Sequence, residues 1–255
     1  MSIGLDEAVE LTRTGDVWVF RGRSVPDRAI QLTTNSPVNH VGMAVVLDDM
    51  PPLMWHAELG RSLPDMWTGT HHRGVQLHDL RDAVCVWANR YGQRAWLRQL
   101  EPSADAAMEQ AVLRTVARLD GTPFPSTAQL AWRWARGRVP QVRLPLPVRR
   151  DRGTGPAEQG AGQADRETSA DRGAAQAERG TGPAERPGGV AVRDRALETA
   201  YCAEVVAVTY EAMGLLPAGR RPNWYDPGRF WSGDDLGLTG GAQLGAEIEV
   251  RIPPR

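Results

Sequence analysis

Two cysteines and five histidines are the residues of this chain best suited to nucleophilic catalysis. Cys202 lies at the start of the segment YCAEVVAVTYEAMG, where apolar residues recur at helical spacing. In the first turn of a helix, the dipole and the free backbone N–H groups favour a thiolate and can hold an oxyanion. Free cysteines are also common as small buried core residues, and position alone favours that interpretation for Cys202. The same packing role is predicted for Cys85, in the middle of AVCVWA.

A thiol enzyme needs a base, usually histidine, and a third group that orients it. His40 opens an apolar segment directly after the turn-forming NSPVN, at a strand end where its ring can face a cleft. His56 lies inside LMWHAEL, and the period-two alternation of a strand puts it on the same face as Glu58. Two polar side chains on one face of a short apolar strand indicate either that this face is exposed to solvent or that it forms part of a functional site. The pair in THHRG, His71 and His72, is predicted to lie in a solvated loop.

Sequence motifs for other chemistries do not occur in the chain. Zinc sites usually show close ligand spacings such as Cys-x-x-Cys or His-x-x-x-His, and the sequence has neither. No Gly-x-Gly-x-x-Gly or Gly-Lys-Ser/Thr loop follows a predicted strand, and there is no Gly-x-Ser-x-Gly elbow. We therefore expect no metal, nucleotide or other cofactor.

The composition limits the class of protein. The chain has 255 residues, 41% of them apolar, which is enough for a substantial core. Its net charge of -1 and isoelectric point near 6.5 predict no general attraction to nucleic acid or anionic membranes. No apolar run approaches the roughly 20 residues that cross a bilayer, and the acidic N-terminus does not resemble a secretory signal. These features predict a cytoplasmic protein with free thiols, and they leave its oligomeric state open.

Several short segments rich in Val and Trp have strand character, and others have helical periodicity. The predicted strands are 16–20, 40–47, 53–59, 74–80, 83–88 and the alternating EIEVRI near the C-terminus. The predicted helices are 24–34, 103–121 with Ser103 as its cap, 126–137 and the segment that begins near Cys202. Strands followed by helices predict an α+β domain with an antiparallel sheet packed against helices.

A change of composition interrupts this pattern. Residues 149–195 are dominated by Gly, Ala, Arg, Glu, Gln, Thr and Pro, and the heptamer RGTGPAE occurs twice within them. Such a segment buries too little apolar surface to offset its ordering entropy, so we predict a disordered insertion. The flanking ranges, 1–148 and 196–255, are predicted to form a single domain because the last helix has no core of its own.

Taken in order, the segments resemble the circularly permuted branch of the NlpC-type papain-like cysteine amidases. TGDVWVFRG is similar to the opening strand of that family, and NSPVNHVGMAVV is similar to the strand that carries its catalytic histidine. MWHAELG and GVQLHDL resemble the next two strands, and LDGTPFP resembles the turn after the middle helix. YCAEVVAVTYEAMGLL resembles the helix that carries the nucleophile, and RPNWYDPGRF follows it. The similarity spans residues 14–232 apart from the insertion.

The resemblance implies a permuted papain-like fold with Cys202 as nucleophile and His40 as general base and acid. It implies that His56 orients His40, although many family members carry Glu at that position. Glu58, on the same strand face, is the alternative orienting residue. The implied function is hydrolysis of an amide (peptide or isopeptide) or acyl bond through a thioester, with a peptide-like or acyl-containing substrate. Ala203 stands where the family more often has Ser, which removes a hydroxyl but no atom that the chemistry requires.

Two other functions stay open at this point. A lipid acyltransferase or thioesterase would share the permuted arrangement, but the Asn-Cys-Glu-His-Phe stretch usual in such acyltransferases is absent. A non-catalytic papain-like binding module would use the aromatic stretches WRW and NWYDPGRFW to hold a ligand or a partner protein.

Overall fold

A seven-stranded, mostly antiparallel sheet forms the centre of the fold. The structure is a computed structural model, and it describes residues 1–23, 36–58, 60, 62–123, 202–221, 224–232 and 236–254. In chain order the strands are β1 (Ser2–Gly4), β2 (Val17–Arg21), β3 (His40–Val45), β4 (Leu53–Glu58), β5 (Gly74–Asp79), β6 (Arg94–Arg98), β7 (Leu100–Glu101), β8 (Gln243–Leu244) and β9 (Ile248–Arg251). Their order across the sheet is β1-β9-β6-β2-β3-β4-β5, while β7 and β8 form a separate antiparallel pair. The β1–β9 pair is parallel and the other neighbours in the sheet are antiparallel.

Helices pack against both faces of the sheet. They are α1 (Leu5–Leu11), α2 (Leu80–Tyr91), α3 (Ala106–Leu119) and α4 (Cys202–Ala212), followed by a short 3-10 helix (Pro227–Phe230). Residues of α1 and α2 belong to one hydrophobic core, and residues of α3 and α4 belong to the other. The fold class is therefore α+β, as the sequence predicts. None of the described helices has the length and apolar character to span a membrane.

Strand alternation divides the buried residues between these two cores. The face under α3 and α4, which we call the Cys202 face, receives Val17, Val19, Val41, Met43, Val45, Leu53, Trp55, Ala57, Val75 and Leu77. The face under α1 and α2, which we call the histidine face, receives Trp18, Phe20, Ala44 and Met54. Since cross-strand partners share a face, the pairing of Phe20 with His40 and of Met54 with His78 puts both histidines on the histidine face.

The prediction of a strand at 83–88 is wrong, because this segment lies inside α2. Asp79 caps the helix by accepting a hydrogen bond from the Asp82 backbone N–H. Gly92 ends the helix in a left-handed conformation with φ of 65°. The apolar side chains of AVCVWA are buried because they lie on the inner face of a helix, not because they alternate along a strand. Cys85 is among them, and it lies in the core of the histidine face.

The other predicted segments that the structure describes are confirmed, whereas β1, α1, β6, β7 and β8 are not among the predictions. Strands are present at the five other predicted positions, and helices at the predicted 103–121 and from Cys202 onward. The cap of α3 is Asp105 rather than Ser103, since the Asp105 carboxylate accepts a hydrogen bond from the Met108 backbone N–H. The predicted helices at 24–34 and 126–137 and the predicted insertion at 149–195 lie outside the described residues.

Candidate thiol and histidine site

The first residue of α4 is Cys202, and its thiol packs against the sheet. Its side chain is almost fully buried in the core of the Cys202 face, with 4% of its surface exposed. Burial raises the pKa of the Cys202 thiol to about 12, although the backbone N–H groups of Val41, Ala203 and Cys202 itself lower it. Desolvation outweighs these N–H groups, so the buried thiol is protonated at neutral pH.

The thiol lies where strands β3 and β4 separate. Described pairs between these two strands run from Val45 with Leu53 to Met43 with Trp55. Beyond that point β3 continues to pair with β2, and β4 continues to pair with β5. The Val41 N–H, which contacts the Cys202 sulfur, belongs to the part of β3 that has left β4. The start of α4 is thus seated at the open end of the sheet.

Gly42 allows the residues at this end of the sheet to pack closely. A Cβ on Gly42 would collide with the Met54 sulfur and would lie 3.4 Å from the His56 Cβ. A side chain at this position would therefore require the Met54 side chain to move and would lie in van der Waals contact with His56.

On the histidine face, His40 and His56 lie side by side beneath α2. Their ring centroids are 5.3 Å apart and the rings are nearly perpendicular. The Trp87 indole of α2 meets both rings, with centroid distances of 5.0 Å to His40 and 4.8 Å to His56. Phe20 on β2 completes the wall, 5.7 Å from the His40 ring. The two histidines predicted for the site are therefore in contact and fixed by aromatic packing.

A chain of hydrogen bonds fixes the tautomers of the buried rings. The Gln76 side-chain nitrogen donates to the carbonyls of His72 and Gly74, at 3.2 and 3.3 Å. Its oxygen therefore faces His78 Nε2 at 3.1 Å and accepts a hydrogen bond from it. His78 Nδ1 is then the bare nitrogen, and it accepts from His56 Nε2 at 3.1 Å. This leaves His56 Nδ1 as a bare acceptor, buried and without a partner among the described residues.

Burial keeps all three rings neutral at neutral pH. It lowers the pKa of His40 to about 3, with a further contribution from His78. It lowers the pKa of His56 well below the usual value for the same reason, with smaller contributions from His78 and His40. Burial also lowers the pKa of His78 to about 4, although the Asp65 carboxylate acts in the opposite direction. Their bare ring nitrogens can bind metal ions, whereas the lowered pKa values make the buried rings weak bases at neutral pH.

The structure brings some of the predicted site residues together and separates others. His40 and His56 share the histidine face, whereas the Cys202 side chain lies in the core of the opposite face. The link between the two is the backbone at Val41, which follows His40 and contacts the thiol. Glu58 lies on the histidine face as predicted, and its carboxylate accepts a hydrogen bond from the Ser62 hydroxyl at 2.6 Å.

Two residues of the cluster, Gln76 and His78, are absent from the sequence-based candidates. Both are fully buried, although they occupy the polar side of an alternating strand. Helix α2 covers that side, and its central segment was predicted to be a strand, so nothing in the sequence pattern indicated that this side would be buried. The other two histidines lie in the connection before β5, where His71 is exposed as predicted and His72 is half-buried.

Comparisons with known proteins give little further information. No family model and no curated protein matches the chain. Among solved structures, the crystal structure of the metalloprotein yiiX from Escherichia coli O157:H7, described as DUF1105, is similar at 24% sequence identity with a TM-score of 0.34. The match covers 45% of this chain and 53% of that protein, so the chain spans about half the length of this relative. A similarity this partial supports no conclusion about function.

Proposed function

We propose that the chain is a cysteine hydrolase of permuted papain-like type that cleaves an amide or acyl bond through a thioester on Cys202. One observation supports this above the others. The Cys202 thiol, at the start of a helix, contacts the backbone N–H of Val41, the residue that follows His40. The nucleophile and the strand that carries its base thus meet at the open end of the sheet. A thiol enzyme also requires the two side chains within hydrogen-bond reach, and here the His40 ring lies on the opposite face.

The first step forms the thioester. The Cys202 sulfur attacks the carbonyl carbon of the substrate, and the thiol proton passes to a ring nitrogen of His40 as the S–C bond forms. The carbonyl electron pair moves to the oxygen, and the backbone N–H groups at the start of α4 donate hydrogen bonds to it. The leaving group departs with the proton from His40. Water then attacks the thioester with His40 as base, which releases the acid and restores the thiol.

Proton transfer requires the His40 ring to turn towards the thiol. Neighbouring Cα atoms are about 3.8 Å apart, so His40 is one short step along the chain from the residue that touches the sulfur. His40 is the first residue of β3, and in the described pairing it has no partner on β4. Because the His40 ring lies on the opposite face from the thiol, this movement requires the backbone at the start of β3 to turn, which breaks the pairing of His40 with Phe20 on β2.

His56 is the orienting residue in this proposal. His40 Nε2 and His56 Nδ1 are both buried, and neither has a hydrogen-bond partner among the described residues. Since His56 Nδ1 is the bare nitrogen, it can accept a hydrogen bond from a protonated His40 Nε2. That bond leaves His40 Nδ1 as the base, and it satisfies both buried nitrogens at once.

Reaction with 4-nitrophenyl acetate tests the proposal, because this probe acylates nucleophilic thiols and releases 4-nitrophenolate. We expect peptide mass spectrometry to find the acetyl group on Cys202. We expect His40→Ala to slow acylation by about 100-fold, the lower range for loss of a general base. Cys85 is a matched control within the same chain, since the two cysteines are 2% and 4% exposed.

Equal and slow acetylation of both thiols would contradict the hydrolase proposal. An unchanged Cys202 rate in a folded His40→Ala chain would contradict the role of the base. Circular dichroism of each variant shows whether it is folded, and Cys202→Ser shows how much probe reacts elsewhere.

A further inference from the structure

Three side chains on the histidine face converge on one point beside the proposed base. One ligand atom from each of His56, Glu58 and His78 lies within 4.8 Å of the other two. Both imidazoles are fully buried, whereas Glu58 at the end of β4 is half-buried. Two histidines and one glutamate form a ligand set found in catalytic zinc sites. We propose that this cluster binds a divalent transition-metal ion such as Zn²⁺.

The spacing of the two imidazoles fits a shared ion. His56 Nε2 and His78 Nδ1 are 3.1 Å apart. Two nitrogens that each bind zinc at about 2.0–2.1 Å in tetrahedral geometry are about 3.3 Å apart. The two nitrogens are therefore already close to the required separation, and each ring needs to turn so that its lone pair points to an ion beside the N–N line rather than at the other nitrogen. Glu58, at the strand end, completes the set by rotation of its side chain, and water fills the fourth position.

Gln76 would orient the His78 ring of this site without binding the ion itself. Two backbone carbonyls hold its amide nitrogen, so its oxygen accepts the hydrogen bond from His78 Nε2. This directs the bare Nδ1 of His78 at His56. Metal-binding histidines almost always donate their other ring N–H to such an acceptor, which fixes the ring and its tautomer. His78 Nε2, the ring nitrogen that would not bind the ion, thus already donates a hydrogen bond as it would in a metal-binding histidine.

Binding also accounts for the unpartnered nitrogen of His56. An ion on His56 Nε2 displaces the hydrogen atom from that nitrogen, and the bare, buried Nδ1 of the same ring can accept it. The ring changes tautomer and the chain loses no proton. In this form His56 Nδ1 carries the hydrogen atom and can no longer accept a hydrogen bond from His40. The metal-bound chain and the proposed hydrolase therefore need different tautomers of His56. The inference shares His56 with the proposed function but does not depend on it.

Zinc titration of the full chain carrying Cys202→Ala tests the site, because this variant keeps the cluster and lacks the proposed nucleophile. We expect calorimetry to find one Zn²⁺ per chain. We expect His78→Gln to weaken binding by at least about 100-fold, the upper range for loss of an outer-shell partner. The matched control is His71→Gln, which changes an exposed histidine and should leave the affinity unchanged.

A second variant and a second measurement cover the case in which His78→Gln does not fold. Glu58→Gln changes a half-buried side chain and should weaken binding by at least about 10-fold. Nitrogen-15 spectra of the rings should show zinc-induced shifts at His56 Nε2 and His78 Nδ1. Substoichiometric binding overturns the inference, as does an affinity that both variants leave unchanged, which would mean adventitious surface binding. Acylation of Cys202 in the wild-type chain without any zinc binding overturns this inference and leaves the hydrolase proposal standing.

Discussion

The two faces of the sheet are buried alike but differ in how their polar groups are satisfied. On the Cys202 face, the Trp55 indole N–H donates to the Thr209 hydroxyl at 3.1 Å, and the Tyr210 hydroxyl donates to the Gly15 carbonyl at 2.6 Å. On the histidine face, His40 and His56 each retain a buried ring nitrogen without a partner among the described residues.

This difference shows which face holds buried titratable groups with unused hydrogen-bonding capacity. A buried polar atom without a hydrogen bond costs about 1–3 kcal/mol, so apolar residues at these histidine positions would make a more stable chain. Unsatisfied polar groups in a native core often mark a functional site. The apolar strands of the Cys202 face hold α4 in place, and the histidine face holds the titratable groups. The two faces meet at the open end of β3 and β4.

The largest expected difference between the faces is their response to acid. The pKa values of His40, His56 and His78 are lowered in the folded chain, so below pH 6.5 the unfolded chain takes up protons first. Their contribution to stability is complete above pH 6.5 and is lost as the pH falls towards about 4. Asp16 acts in the opposite direction, because burial raises its pKa to about 6 and its protonation then favours the folded chain. We expect a net loss of about 4 kcal/mol between pH 6.5 and pH 5, measured by urea unfolding.

Two variants assign this loss to the histidine face. His56→Leu should reduce it by about 2 kcal/mol, since one buried imidazole no longer titrates. His71→Gln, at an exposed position, should leave it unchanged. An unfolding free energy that is the same at both pH values would show that the buried rings are not held neutral by the fold.

The next effect concerns which residue of the histidine face orients His40. The His56 ring contacts the His40 ring and has the free acceptor nitrogen, whereas the Glu58 carboxylate accepts a hydrogen bond from the Ser62 hydroxyl. We expect His56→Leu to slow acylation of Cys202 by about 10- to 100-fold, and Glu58→Gln to change it by less than about 3-fold. His56→Gln supplies an amide oxygen at the same position and should restore part of the rate. A larger loss in Glu58→Gln than in His56→Leu would make Glu58 the orienting residue.

The sequence predicts the Cys202 face better than the histidine face, for a physical reason. Short apolar segments rich in Val and Trp predict β2, β3 and β4, alternation predicts β5, and the structure has these strands at the expected positions. The segment 83–88 has the composition of a strand, but the Asp79 cap and the left-handed Gly92 enclose it in a helix. That helix covers the polar side of β5. A wrong prediction for one element therefore concealed the burial of His78.

β6 is a strand that the sequence pattern does not predict, because charged residues flank its apolar centre. β6 has the sequence RAWLR, in which Arg94 and Arg98 mask the apolar core of the strand. The Arg98 guanidinium is almost fully buried and donates to the carbonyls of Phe230, Leu244 and Gly245. Such a side chain is satisfied by backbone far away in the sequence, and no local pattern indicates those partners.

The smallest of the expected effects tests how the Cys202 face holds α4. Thr209→Val removes the hydroxyl that accepts the Trp55 N–H and leaves that donor buried without a partner. We expect a loss of about 1–2 kcal/mol in the free energy of unfolding, measured by urea at pH 7.5. Thr115→Val on α3 is the matched control, because both hydroxyls are buried and both donate to the carbonyl four residues earlier, but no indole N–H in the described part of the chain donates to Thr115. The difference between the two variants isolates the bond between β4 and the Cys202 helix. Equal losses would mean that this bond contributes nothing beyond threonine burial, and that apolar packing alone positions the thiol.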